Sequence, residues 1–172
     1  MKLLLIAVLT GATPFATSAV AEDHTPSADE VQVAELSVTG AFIRATLPHA
    51  PVAGGYMTIA NHGITDDRLL SVTAPIGERT DIHEMTIEND VMTMRALPDG
   101  LPVPAGETVS LQPAGNHLMI MGLSAQLVEG QTYDLTLKFE NAGNVTVPFD
   151  VLALNARKHP GLQETDTQSV EK

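Results

Sequence analysis

TYDLTLKFENAGNVTVPFDVL, residues 132–152, decides the fold class. Tyr133, Leu135, Leu137 and Phe139 fall on one side of an extended chain, and Asp134, Thr136, Lys138 and Glu140 on the other. That is the period-two pattern of a strand with one buried face. Asn141-Ala142-Gly143-Asn144 supplies the connecting turn, so the stretch reads as a hairpin with a structural role. Working outward, short runs rich in Val, Ile, Thr and Leu recur along the chain. They predict strands at Leu36–Ala45, Gly55–Asn61, Arg68–Ala74, Arg79–Ile87, Val91–Ala96, Thr108–Leu111, His117–Met121, Thr132–Phe139 and Asn144–Leu152. Breakers such as Pro48, Gly63, Pro75, Gly77, Pro98, Gly100, Pro104, Gly106, Gly115 and Gly130 separate them. No segment holds a helical period over three turns, and there is no internal repeat. Many short strands with regular turns predict an all-β chain, a Greek-key β-sandwich or barrel.

The two ends read differently. Met1-Lys2, the apolar run Leu3–Thr10 and Ala19-Val20-Ala21, followed by Glu22 and Asp23, have the layout of a secretory signal peptide over residues 1–21. An uncleaved anchor is the other reading, but the apolar run is shorter than the roughly 20 residues a span needs. Residues 22–34 are polar and read as a flexible leader, 35–156 as one β-domain, and 157–172 as a polar, disordered tail. No stretch after the signal is long or apolar enough to cross a bilayer. The net charge is -12; Lys2 is the only charge in residues 1–21, so their removal leaves -13. Such a surface repels nucleic acid and anionic lipid. There is no cysteine, so the exported domain folds without disulfides and any soft metal ligand must be methionine.

Five of the seven methionines lie between residues 85 and 121, in two clusters that each carry a histidine. The first runs His83-Glu84-Met85-Thr86-Ile87-Glu88-Asn89-Asp90-Val91-Met92-Thr93-Met94. Turning at Asn89-Asp90, it pairs Glu88 with Val91 and Met85 with Met94, and leaves His83 diagonal to Met94. His83, Met85, Ile87, Met92 and Met94 then share one face, expected to turn toward the body of the protein. In the second, Asn116-His117-Leu118-Met119-Ile120-Met121, Leu118 and Ile120 suit a core, whereas His117, Met119 and Met121 point the opposite way.

Imidazole and thioether together make a soft, neutral donor set suited to Cu(I), not to Mg, Ca or Mn. Zinc more usually takes cysteine, histidine and carboxylate, and a blue-copper centre needs a cysteine thiolate. Neutral donors leave Cu(I) its positive charge, which favours passing it on. Either cluster alone reads more simply as packing, because methionine is an ordinary gap-filler. Both together, in a cysteine-free exported β-protein, point to copper.

At these residues the sequence resembles the periplasmic copper chaperone family PCu(A)C, whose pattern is His, ten residues, Met, a little over twenty residues, then His-x-Met. Ten residues separate His83 from Met94 and twenty-two separate Met94 from His117, with Met119 completing His-x-Met. The flanks are similar too: Ala41–Thr46, Ala53–Asn61, Asp67–Leu70, Pro104-Ala105-Gly106 and Gly115–Met119, so the resemblance covers about residues 35–153. It implies a cupredoxin-like β-sandwich or barrel, Cu(I) on His83, Met94, His117 and Met119, and a periplasmic metallochaperone delivering copper toward the CuA site of cytochrome c oxidase. The implied partner is a copper-accepting periplasmic protein, either an oxidase subunit or a thiol-containing copper chaperone, and the chain is expected to be a monomer. Phe42 stands where many relatives carry tryptophan. The tail offers only His159, against the His- and Met-rich extension of some relatives.

The remaining candidates read more plainly. His49 and His62 suit solvated loops, and Met57 suits the core. Met85, Met92 and Met121 are spare ligands or, as the favoured reading, an apolar wall. Cleavage after Ala21 would expose Glu22-Asp23-His24, whose amine, two amides and imidazole can hold Cu(II) at a secondary N-terminal site. A match this short is weak, and a solvated histidine is the simpler reading. Copper sequestration without a dedicated acceptor, and an interaction module whose clusters merely pack, are the competing functions. Nothing reads as an enzyme: there is no nucleophile elbow, carboxylate pair or phosphate-binding loop.

Overall fold

The computed structural model describes residues 30–88 and 91–161. The signal segment, His24, the Asn89-Asp90 turn and residues 162–172 lie outside them. The described chain is all β: β1 (Glu30–Val33), β2 (Leu36–Arg44), β3 (Val52–Asn61), β4 (Asp67–Thr73), β5 (Arg79–Glu88), β6 (Val91–Ala96), β7 (Leu101–Val103), β8 (Thr108–Leu111), β9 (His117–Met121), β10 (Thr132–Phe139) and β11 (Asn144–Leu152). No helix among the described residues is long and apolar enough to cross a membrane.

The strands form one continuous sheet in the order β6-β5-β9-β3-β2-β11-β10-β4-β7, with β1 added to β2 and β8 to β3. Only β2 and β11 run parallel. The sheet folds round so that β4 lies against β5, and its inner side chains make one core. The 132–152 hairpin behaves as its pattern requires. Leu135, Leu137, Phe139, Val147 and Phe149 are buried, while Asp134, Lys138 and Glu140 are exposed. Met57 is in that core, at 2 % exposure.

Two strands escaped the sequence pattern. β1 falls inside the segment expected to be a leader: Val31 and Val33 pack against the core after the chain reverses at Ala34 (φ 51°). β7 is Leu101-Pro102-Val103, between residues that read as breakers. Leu101 and Val103 are buried and Pro102 is exposed. As an edge strand paired only with β4, it tolerates the missing proline N–H. The tail boundary also moves. Arg157–Gly161 returns to the body, where Arg44 Nε donates to Ala156 O at 2.7 Å. His159 is buried with Nε2 3.4 Å from Asp150 Oδ2.

The β10–β11 turn is tied to the far end of β4 by a buried carboxylate. Asp67 Oδ1 accepts from the backbone N–H of Arg68 (2.7 Å) and Asn141 (3.0 Å), and Oδ2 from Ala142 (2.9 Å). Asp67→Ala should cost about 1–3 kcal/mol in denaturant unfolding, because it leaves three part-buried N–H donors without their charged acceptor. Asp67→Asn, which keeps one acceptor oxygen, should cost visibly less. Equal losses would show that the volume, not the hydrogen bonds, matters.

Candidate metal centre

β9 is the floor of the site. Its alternation puts Leu118 and Ile120 in the core at 0 % exposure and turns His117, Met119 and Met121 to the outer face of the sheet. β5 alternates likewise: Ile82 is buried at 4 %, which sends Asp81 and His83 outward. The antiparallel register sets His83 directly opposite His117 and Asp81 opposite Met119. The two imidazoles meet edge to face, with ring centroids 5.8 Å apart. On its other edge β9 pairs with β3, where Gly54 lies opposite Met119.

Beyond His83, β5 outruns β9 and continues with β6 alone. Met85 pairs with Met94 and His83 with Ala96, as the hairpin pattern predicts. The face they share is not turned into the body, however. Met94 is 46 % and Met92 60 % exposed, because no strand among the described residues covers this two-stranded extension. Met92 is therefore no wall against water. Met121, another candidate for that wall, lies with its sulfur 3.5 Å from Arg79 Nη2.

His117, Met119, Met94 and Met85 line one concavity of about 230 Å³, with Arg44, Gly54, Tyr56 and the Pro113-Ala114 loop. Gly54 makes room for the Tyr56 hydroxyl: a Cβ would lie 2.6 Å from Tyr56 Oη, so the ring would have to shift. The Tyr56 ring rests on Phe42 (centroids 4.9 Å apart) and under the Arg44 guanidinium (5.2 Å). A larger concavity, about 370 Å³, lies between Ala34–Leu36 and the Asn61–Asp67 turn. There His62 is engaged with Ser37 and the Asp66 and Asp67 carboxylates with backbone N–H, and the concavity brings no soft donors together.

The ring nitrogens are suited to a ligand. His117 Nδ1 donates to Gly115 O at 3.0 Å, which leaves Nε2 as the lone-pair nitrogen. His83 Nδ1 is buried without a hydrogen-bond partner among the described residues. Such a nitrogen costs about 1–3 kcal/mol unless something fills its coordination. Also among the described residues, no three histidine or carboxylate side chains gather to hold a metal. The donors here are imidazole plus thioether, a set for a soft ion.

Sequence reading missed the surroundings. Asp81 stands two residues before His83 on the same face, a D-x-H spacing that strand alternation alone could have flagged. Arg44, Tyr56 and Gly54 reach the site only through the pairing of β3 with β2 and β9. His49 is exposed in its loop at φ 63°. His62 is exposed as expected, but Nε2 is 3.0 Å from Ser37 Oγ.

An outer-face cluster of two histidines and several methionines on one continuous all-β sheet defines a cupredoxin-like domain with soft donors on its outer face. The chain belongs to the LpqE-like family, whose model, described as "Putative lipoprotein LpqE-like", matches residues 36–151. It is 34 % identical over 146 residues to "Putative lipoprotein Lxx21020" of Leifsonia xyli subsp. xyli (strain CTCB07), covering 83 % of this chain and 84 % of that one. Among solved structures it resembles the copper-bound PCuAC domain from PmoF2, with TM-score 0.63 and 26 % identity over 72 % of this chain and 97 % of that one. It also resembles the Cu(I) form of DR1885 from Deinococcus radiodurans, with TM-score 0.56 and 27 % identity over 76 % and 84 %.

Burial raises the Tyr56 phenol above its usual 10.0, with the Arg44 charge pulling part of the way back. A proton held more tightly in the folded state contributes stability that is present below pH 10 and lost as pH climbs through the folded value. Tyr56→Phe, which keeps the ring stack, should therefore flatten the fall in unfolding free energy between pH 9 and pH 11, read by denaturant titration. An unchanged slope would place the alkaline loss elsewhere.

Proposed function

We propose that this chain is a copper chaperone of the bacterial cell envelope, binding one Cu(I) through His83, Met94, His117 and Met119. The observation that carries the reading is a pair of facing imidazoles beside a shallow concavity that one of them, His117, shares with three thioethers. His83 faces His117 across β5 and β9, and Met94 and Met119 share a concavity with His117. The copper-bound PCuAC domain and the Cu(I) form of DR1885 are similar in fold and support copper as the cargo. The lipoprotein descriptions of the family and of the Leifsonia protein support the envelope, with the periplasm as the compartment. The proposed acceptor is a copper-receiving protein there, the CuA domain of cytochrome c oxidase being the first candidate.

Transfer needs the ion held by donors a partner can replace. Met94 is the exposed ligand, on an edge strand, and a partner's sulfur would displace it first. The two histidines, on strands held in the body of the sheet, stay in place until the ion leaves.

Cu(I) titration in competition with a chelator tests the site. Replacing Met94 or Met119 by Ala, or His83 or His117 by Phe, should weaken binding at least about tenfold each, or 1.4 kcal/mol. Met57→Leu, in the core, should leave affinity unchanged. Parent-like affinity in the Met94→Ala, Met119→Ala double variant would end the ligand assignment. Mixing the Cu(I)-loaded protein with an apo CuA domain should move copper. Retention of the ion against that acceptor would favour storage over delivery.

A further inference from the structure

His83 and His117 face each other across paired strands, yet their ring nitrogens are committed in opposite ways. A carbonyl only accepts, so Gly115 O fixes the His117 proton on Nδ1 and leaves Nε2 free to bind. At His83 the nitrogen near an acceptor is Nε2, 3.9 Å from Asp81 Oδ2. That is too long for a hydrogen bond, but a carboxylate at that distance favours the proton on the nitrogen that faces it. Nδ1, by contrast, is buried and partnerless among the described residues, a poor place for a proton and a good one for a lone pair.

Asp81 is itself held. Its Oδ2 lies 3.1 Å from Arg79 Nη2, and the same Arg79 nitrogen lies 3.5 Å from Met121 Sδ. Arg79, Asp81 and His83 therefore form a row on alternate residues of β5, alongside Met121, Met119 and His117 of β9. The row sets a negative oxygen near Nε2 of the His83 ring and leaves Nδ1 as the nitrogen without a partner among the described residues.

We propose that the two histidines take Cu(I) through different nitrogens, His83 through Nδ1 and His117 through Nε2, with Asp81 as the positioning residue that sets the His83 tautomer. This rests on the copper reading above and deepens it. Carboxylate partners of metal-binding histidines act in this way, fixing the tautomer and raising the basicity of the ligating nitrogen. The geometry adds an asymmetry: one ring is oriented by a backbone carbonyl and the other by a carboxylate.

Long-range proton–nitrogen correlation NMR of the full chain, with and without one equivalent of Cu(I), tests this directly, because Cu(I) is diamagnetic. The apo spectrum should show His83 protonated at Nε2 and His117 at Nδ1. Added Cu(I) should move the His83 Nδ1 and His117 Nε2 resonances and leave both protonated nitrogens protonated. Movement of His83 Nε2 instead would overturn the assignment while leaving copper binding intact. No movement at either ring would overturn the copper reading itself.

Asp81→Leu should shift apo His83 toward the Nδ1–H tautomer and weaken Cu(I) binding about 10–100-fold, with the His117 tautomer unchanged. Asp81→Asn preserves the shape and guards against misfolding. Its Leu118 and Ile120 amide resonances should match the parent while the His83 tautomer still moves. An unchanged His83 tautomer in both variants would remove Asp81 from its role.

Discussion

β9 is paired on both edges, with β5 on one side and β3 on the other, and every feature of the site descends from that pairing. Side chains alternate along a strand, so a slip of one residue would exchange its two faces completely. Leu118 and Ile120, at 0 % exposure, make such a slip expensive, since burying one aliphatic side chain contributes about 1.5–3 kcal/mol. The core thus fixes the positions of His117 and Met119 without reference to any ion. Ile82 does the same for His83 from the neighbouring strand. The donor set is preorganised as a by-product of core packing on the reverse side of the same strands.

Rigidity falls away across the site. His117, at 8 % exposure, is tied to Gly115, and His83 stands opposite it in the body of the sheet. Met94, on the edge strand β6, has pairing on one side only and is nearly half exposed. Among the described residues the β5–β6 extension has no covering strand, and its Glu84–Arg95 ion pair, with the arginine exposed, contributes little. Segments with few buried contacts open at low cost. On the proposed function the gradient is useful: the anchored end holds the ion in place and the loose end yields to an incoming ligand.

Much of this was legible in the sequence, and the reasons differ by element. Alternation over Thr132–Phe139 and His117–Met121 gave strands and faces, because one face is buried and selects its residues. The Met85–Met94 pairing followed from the Asn89-Asp90 turn. β1 was hidden because only Val31 and Val33 mark it among polar neighbours, and β7 because Pro102 reads as a breaker unless the strand is known to be an edge. The inward orientation assigned to the hairpin was wrong because pattern gives relative faces and not what lies against them. Arg44, Tyr56 and Gly54 come together through β2–β3–β9 pairing, and no local signal reports a sheet order. Arg157–Gly161 looked like free tail because its anchors, Asp150 and Arg44, lie elsewhere in the chain.

Selectivity can be argued from charge close to the donors. The proposed ligand set is neutral, and a divalent ion would keep its full charge there. Asp81, the carboxylate beside His83, is already paired with Arg79, and Arg44 brings a positive charge to the same concavity. The chain's net charge of -12 does not offset this locally, since exposed charges are screened beyond about 8 Å at physiological ionic strength. A monovalent ion that gains from thioether polarizability loses least in such surroundings. Zinc would give up hydration without acquiring the thiolate or carboxylate ligands it normally takes. The absence of cysteine works in the same direction: without a thiolate, Cu(I) on the proposed site would be held by donors weak enough to be exchanged one at a time.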